Sequence, residues 1–142
     1  MKTSDSKFCN CLYFTANALA RKTEKLASES WKKTGLAPSH AYLVILTLEE
    51  PGINAGQAAE QLQLTPSTIT RTIEKLEEKK LLIRVTEGKL TNLYPTKKAK
   101  EMQPVLKQCV EEFNEKYLAI LGREESNRFI KTMNTIADKL EG

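Results

Sequence analysis

Apolar residues recur along this chain at steps of three and four for most of its length, and only one short stretch reads as strand. From Lys7 to about Lys33, Phe8, Leu12, Ala16, Leu19 and Leu26 fall near one stripe, which predicts a long amphipathic helix broken at Gly35. Pro38 stands in the opening turn of a second helix, Ser39 to Glu50, with Tyr42, Ile45, Leu46 and Leu48 directed to the core and Pro51-Gly52 closing it. Asn54 then caps a short helix, with Gln57 three residues on to reciprocate and Ala58, Ala59 and Leu62 on its apolar side. Gln63-Leu64 makes a turn. Thr65 and Pro66 restart a helix that runs to Lys80, a cap side chain followed by a residue with φ preset. Ile69, Ile73 and Leu76 lie at i, i+4 and i+7 in it and face inward.

The periodicity then changes. Leu81 to Thr86 reads as a strand, Glu87-Gly88-Lys89 as a tight turn, and Leu90 to Thr96 as a return strand ending at Pro95. Helical spacing resumes from Thr96 to about Gly122 with Met102, Val105, Cys109, Phe113 and Leu121. It continues from Glu124 to Leu140 with Phe129, Met133, Ile136 and Leu140. Helix, turn, helix, hairpin in that order is a winged helix-turn-helix, so the expected fold is mainly α with a small β-hairpin wing. Long N- and C-terminal helices flank it. The organisation expected is an N-terminal dimerisation helix at 1–35, a winged DNA-binding domain at 36–98 and C-terminal dimerisation helices at 99–142. Neither terminal stripe can be covered alone, and pairing with a second copy covers both. A monomer whose terminal helices fold back on the centre is the competing arrangement.

The outward face of the helix from Pro66 to Lys80 carries the candidate chemistry. Ser67, Thr68, Thr70, Arg71 and Lys75 are short, polar or basic there, the types that read base edges and grip phosphate in a major groove. Arg84 at the strand base and Lys89 at the hairpin tip are the basic candidates of the wing. Two such helices about one DNA turn apart in a homodimer would read a palindrome on double-stranded DNA. Charge agrees: the chain nets +4, and residues 54–100 hold nine basic and five acidic side chains. A lysine-rich solvated face gives the same count, and Glu74 and Glu78 near that face argue against a purely electrostatic clamp.

Other classes recede. No Gly-rich phosphate loop or nucleophile elbow occurs, and one histidine is too few for a metal or base constellation, so neither an enzyme nor a cofactor is expected. The N-terminus lacks an apolar signal core, and the run Ala41 to Leu46 is too short to cross a bilayer, so a cytoplasmic protein without membrane contact is expected. His40 opens a helix and reads as a cap or interface residue. Trp31 and Tyr42 fit either core packing or a ligand cleft. A winged-helix protein–protein module that does not read DNA is the rival function.

Several segments together resemble the MarR family of bacterial transcription regulators. They are Gly35-Leu36, Ala58-Ala59-Glu60-Gln61-Leu62, Thr65-Pro66-Ser67-Thr68-Ile69-Thr70-Arg71, Lys75-Leu76-Glu77 and Lys80-Leu81-Leu82-Ile83-Arg84. The resemblance implies an obligate dimer that represses genes from palindromic promoters and is released by a small-molecule effector, often phenolic, or by an oxidant. The chain departs from the family at the wing tip, where Glu87-Gly88-Lys89 replaces an Asp-x-Arg element. A weaker minor-groove contact is expected from it.

Phe8-Cys9-Asn10-Cys11-Leu12-Tyr13 also resembles the start of the organic-hydroperoxide-sensing branch of that family. That likeness implies oxidation at Cys9, with Tyr13 one helical turn away; Cys109, in the long helix after the wing, is the candidate partner for an intersubunit disulfide if it lies near the second copy's N-terminal helix. All three cysteines equally suit core packing. A Cys-x-Cys metal site is not expected, since the two side chains diverge on a helix and no His cluster accompanies them.

Overall fold

The computed structural model describes residues 1–141 of the chain, and its order of elements is that of a winged helix-turn-helix between long helices. The helices are α1 Leu12–Trp31, α2 Pro38–Glu49, α3 Ala55–Leu62, α4 Pro66–Glu78, α5 Lys97–Leu121 and α6 Arg123–Glu141. Strands β1 Leu82–Glu87 and β2 Leu90–Pro95 pair antiparallel, with Glu87 opposite Leu90 across a two-residue turn at Gly88-Lys89. Gly88 takes φ of +64°, the left-handed conformation such a turn favours and glycine adopts without strain.

The caps expected at Asn54 and Thr65 form, and Thr96 adds a third. Asn54 Oδ1 accepts from the Gln57 amide at 2.9 Å and Gln57 Oε1 accepts from the Asn54 amide at 3.4 Å, closing a capping box on α3. Thr65 accepts from the Thr68 amide and Thr96 from the Ala99 amide, so α4 and α5 both begin on a threonine cap. Gly35 and Gly122 stop helices with positive φ.

One expectation fails at the N-terminus. The first helix begins at Leu12, not Lys7; Thr3–Asp5 is a single 3-10 turn and Cys11 is the extended N-cap of α1. Local side chains compete with a helix there: the Phe8 amide donates to Ser6 Oγ, and Thr15 Oγ1 donates to the Cys9 carbonyl at 3.0 Å. Cys9 therefore lies outside the helix, and the i, i+4 face it was expected to share with Tyr13 does not exist.

A continuous core runs from Ala27 and Trp31 of α1 through α2, α3, α4 and the hairpin to Leu106 and Cys109 of α5. Helix α2 is its hub. It packs against α1, α3, α4, α5 and β2, and Ala41, Leu43, Val44 and Thr47 are all fully buried. A helix enclosed on several sides has no single apolar stripe. Periodicity accordingly selected Tyr42, which is exposed, and passed over Leu43 and Val44. On α5 the inward residue is Leu106, while Val105 is partly exposed. Thr47 is satisfied by donating to the Val44 carbonyl at 2.8 Å.

The terminal helices leave apolar surface open. Phe129, Ile130, Met133, Ile136 and Leu140 of α6 are all exposed, as are Phe8, Leu12 and Leu19 at the other end of the chain. Among the described residues no helix is long and apolar enough to cross a membrane.

Candidate nucleic-acid interface

Helix α4 is held from beneath by Ile69, Ile73 and Leu76, each at most 3 % exposed. Burying such side chains stabilises by about 1.5–3 kcal/mol each, so the orientation of the helix is fixed by its apolar face. Ser67, Thr70, Arg71, Glu74 and Lys75 are exposed on the opposite side, and Thr68 is half-buried. The structure brings the five sequence-selected residues of this helix onto one accessible side of the molecule.

Their hydrogen bonds decide what each can offer. Thr70 Oγ1 donates to the Pro66 carbonyl at 2.9 Å, which leaves its oxygen as an acceptor and its methyl for apolar contact. Thr68 Oγ1 receives the Thr65 hydroxyl at 2.9 Å, which fixes the first turn. Lys75 Nζ stands 3.9 Å from Glu78 Oε2, an exposed pair of little energy. Arg71 makes no ion pair among the described residues, so its guanidinium remains available for bidentate bonds.

The wing is fastened to this helix. Arg84 Nε lies 2.9 Å from Glu77 Oε1, tying β1 to α4. Arg84 was selected as a DNA contact, and its charge here is engaged by that carboxylate. Lys89 is exposed at the hairpin tip. Sequence reasoning missed a further tether: the Gly52 amide donates to the Leu93 carbonyl at 2.7 Å and the Leu93 amide to the Ile53 carbonyl at 2.9 Å. The segment before α3 thus adds to the free edge of β2, with an isolated bridge at Asn54 and Asn92. Gly52 has φ of +91° and a Cβ there would sit 3.3 Å from Tyr94 Oη, so both backbone and space call for glycine.

Lysines close the far end of α4. Lys79 Nζ donates to the Gly35 carbonyl and Lys98 Nζ to the Lys79 carbonyl, both at 3.0 Å. Lys79 and Lys75 also lie close enough to His40 to act on it. Burial first, then those two ammonium groups, hold its imidazole below the usual pKa.

Behind the helix-turn-helix, aromatic rings gather between α1, α2 and α5. Trp31 stands edge-on to Tyr42 at 5.7 Å and tilted to Phe113 at 5.9 Å, and Phe113 meets Tyr117 at 5.4 Å. Trp31 is fully buried and its Nε1 has no hydrogen-bond partner among the described residues. Burial and then Tyr117 push the Tyr42 hydroxyl above its usual range. The sequence had placed Trp31 and Tyr42 here as either core or cleft; Trp31 is core, and Tyr42 lies at its exposed edge.

The three thiols are separate in character. Cys11 is exposed, Cys9 half-buried and Cys109 fully buried. Cys109 packs in the core of its own chain, and burial pushes its thiol up, against a smaller opposing effect of Lys33. No group of three or more His, Cys, Asp or Glu suited to a metal occurs among the described residues.

Comparison with known proteins agrees with this geometry. Residues 34–89, from the end of the α1–α2 connection through α4 and β1 to the hairpin turn, match the family model of the MarR family. The chain is 24 % identical over 126 residues to an uncharacterized HTH-type transcriptional regulator, YybA, of Bacillus subtilis (strain 168), covering 87 % of this chain and 84 % of that protein. Its fold is that of the transcriptional repressor CouR bound to a 23-mer DNA duplex, with a TM-score of 0.82 at 18 % identity over 96 % of this chain and 98 % of that one. CouR bound to p-coumaroyl-CoA gives 0.83 at 18 % identity over 94 % and 96 %. The MepR–DNA complex of S. aureus gives 0.79 at 15 % identity over 91 % and 97 %. This chain shares its overall fold with these three solved structures.

Proposed function

We propose that this chain is a homodimeric transcription regulator of MarR type that binds double-stranded DNA and represses from a palindromic operator. The observation that carries this reading is the outward face of α4, where Ser67, Thr70, Arg71 and Lys75 are exposed beside a wing tied to the same helix. Such a helix enters a major groove with its hydroxyls and arginine at base edges, and its lysine at phosphate. Lys89 follows the adjacent backbone from the wing tip. The exposed apolar residues of α6 and of the N-terminal segment supply the dimer contact. The spacing of the two recognition helices then depends on how the terminal helices pair.

Release follows from the same arrangement. The rings of Trp31, Tyr42, Phe113 and Tyr117 lie where α1, α2 and α5 meet, between the proposed dimer arms and the DNA-binding unit. A planar aromatic effector that opens this cluster gives the buried Trp31 Nε1 an acceptor and shifts α2 against α5. Release by an oxidant, the other route, runs first through Cys9 and Cys11, the two thiols that solvent reaches.

Fluorescence anisotropy of the reduced protein on the DNA upstream of its own gene tests the reading. Salt-dependent binding, weakened by Arg71→Ala, supports it. Binding that is absent there and on genomic fragments favours the protein–protein module instead. Adding an aromatic acid or an organic hydroperoxide to the complex separates the two routes of release.

A further inference from the structure

Beside the assigned face, His40 in the first turn of α2 shares a groove with α4, walled on the α4 side by Arg71, Lys75, Glu74 and Glu78. The residues are far apart in sequence and meet only because α2 packs on α4. We propose that His40 is a phosphate-contacting residue of the DNA interface, and that it takes up a proton when DNA binds. This rests on the DNA-binding reading above. A helix laid into the major groove meets the sugar–phosphate backbone along its flanks. Here one flank of α4 is this groove, and a phosphate seated in it lies between Arg71 and Lys75 on one wall and His40 on the other.

The charges around His40 make the proton follow the DNA. In the free protein partial burial first, and then Lys79 and Lys75, disfavour the imidazolium. Glu74 and Glu78 line the same wall, and Glu78 is turned toward Lys75 at 3.9 Å. Lys79 is occupied with the Gly35 carbonyl. An incoming phosphate carries a full negative charge to the open side of the ring, which favours the cation and turns both imidazole nitrogens into donors. The proton comes from solvent, and no bond other than N–H forms or breaks.

Because a phosphate contact is independent of sequence, the probe is a labelled mixed-sequence duplex at low salt, read by anisotropy from about pH 8 to about pH 6. The wild type should bind severalfold tighter at the acid end, and His40→Gln should lose most of that gain. At the acid end the wild type should also show a salt slope steeper by about one unit than the variant. His40→Lys, charged at every pH, should bind at least as tightly as the acid-side wild type with a flat profile, which covers the case where the glutamine variant folds poorly. Parallel pH profiles for wild type and His40→Gln, or weakened binding by His40→Lys throughout, would overturn the role of His40 alone. A wild type that binds no duplex at any pH would overturn the DNA-binding reading and this role with it.

Discussion

Arg71 and Arg84 are both arginines near the proposed DNA, yet their surroundings assign them different work. Arg71 has no carboxylate partner among the described residues, whereas Arg84 Nε is 2.9 Å from Glu77. Arg71→Ala should cost about 1–3 kcal/mol of DNA binding and relax sequence preference. Arg84→Ala should act mainly by loosening the wing, with a smaller loss that Glu77→Ala reproduces. Equal losses of sequence preference for the two arginines in a binding-site selection would contradict this division. The cysteines divide in the same way. A thiol reagent should label Cys9 and Cys11 before Cys109, which should react only on unfolding, because Cys109 is fully buried and its thiol is pushed up. Rapid modification of Cys109 in the folded protein, read by mass spectrometry, would show that the core opens more readily than its packing implies.

At the scale of elements, the fold depends on a few termini and one edge. The capping box of α3 is worth about 1 kcal/mol, and Asn54→Ala should lower stability by that much in denaturant titration. Gly52→Ala should be worse, since the residue has φ of +91° and the new methyl meets Tyr94 Oη at 3.3 Å. The edge pairing of Gly52 and Ile53 with Leu93 would open with it. Its further effect should be on DNA affinity, because that pairing and the Arg84–Glu77 bridge, with Leu82 and Leu93 in the core, help hold the wing to the helix-turn-helix. A Gly52→Ala protein with unaltered stability would show that the segment has room to shift. The N-terminus teaches the converse. Apolar spacing alone carried the first helix back to Lys7, but Ser6 and Thr15 offered local hydrogen bonds that end it at Leu12.

For the whole molecule, the exposed row Phe129, Met133, Ile136 and Leu140 must be covered by something. If it is a second copy, Ile136→Glu should yield a monomer in sedimentation and lose cooperative binding to a palindrome while leaving the winged unit folded. A variant that stays dimeric would move the interface elsewhere. The response to acid should also differ between free and bound protein. His40 titrates below its ordinary value of 6.5 in the fold, so the unfolded chain binds more protons near that pH. Its contribution makes the free protein less stable as pH falls through that range, and more stable as pH rises. DNA binding by the proposed route runs the opposite way, so the stabilisation conferred by a duplex in thermal melts should grow on acidification.

The residues by themselves determined the order of elements, the caps at Asn54 and Thr65, the breaks at Gly35 and Gly122 and the inward row Ile69, Ile73 and Leu76. Each of these is set within a turn or two of chain, where hydrogen bonds and spacing are local. The outward face of α4 was legible for the same reason, since fixing one side of a helix fixes the other. Tertiary structure alone decided what lies between distant segments. It enclosed α2 on several sides, so that Leu43 and Val44 are core and Tyr42 is not. It buried Cys109 within its own chain, engaged Arg84 with Glu77 and set His40 against Lys75 and Lys79. Periodicity reports that a helix has a buried side; which neighbours bury it, and which charges then meet, depends on packing that no local pattern encodes.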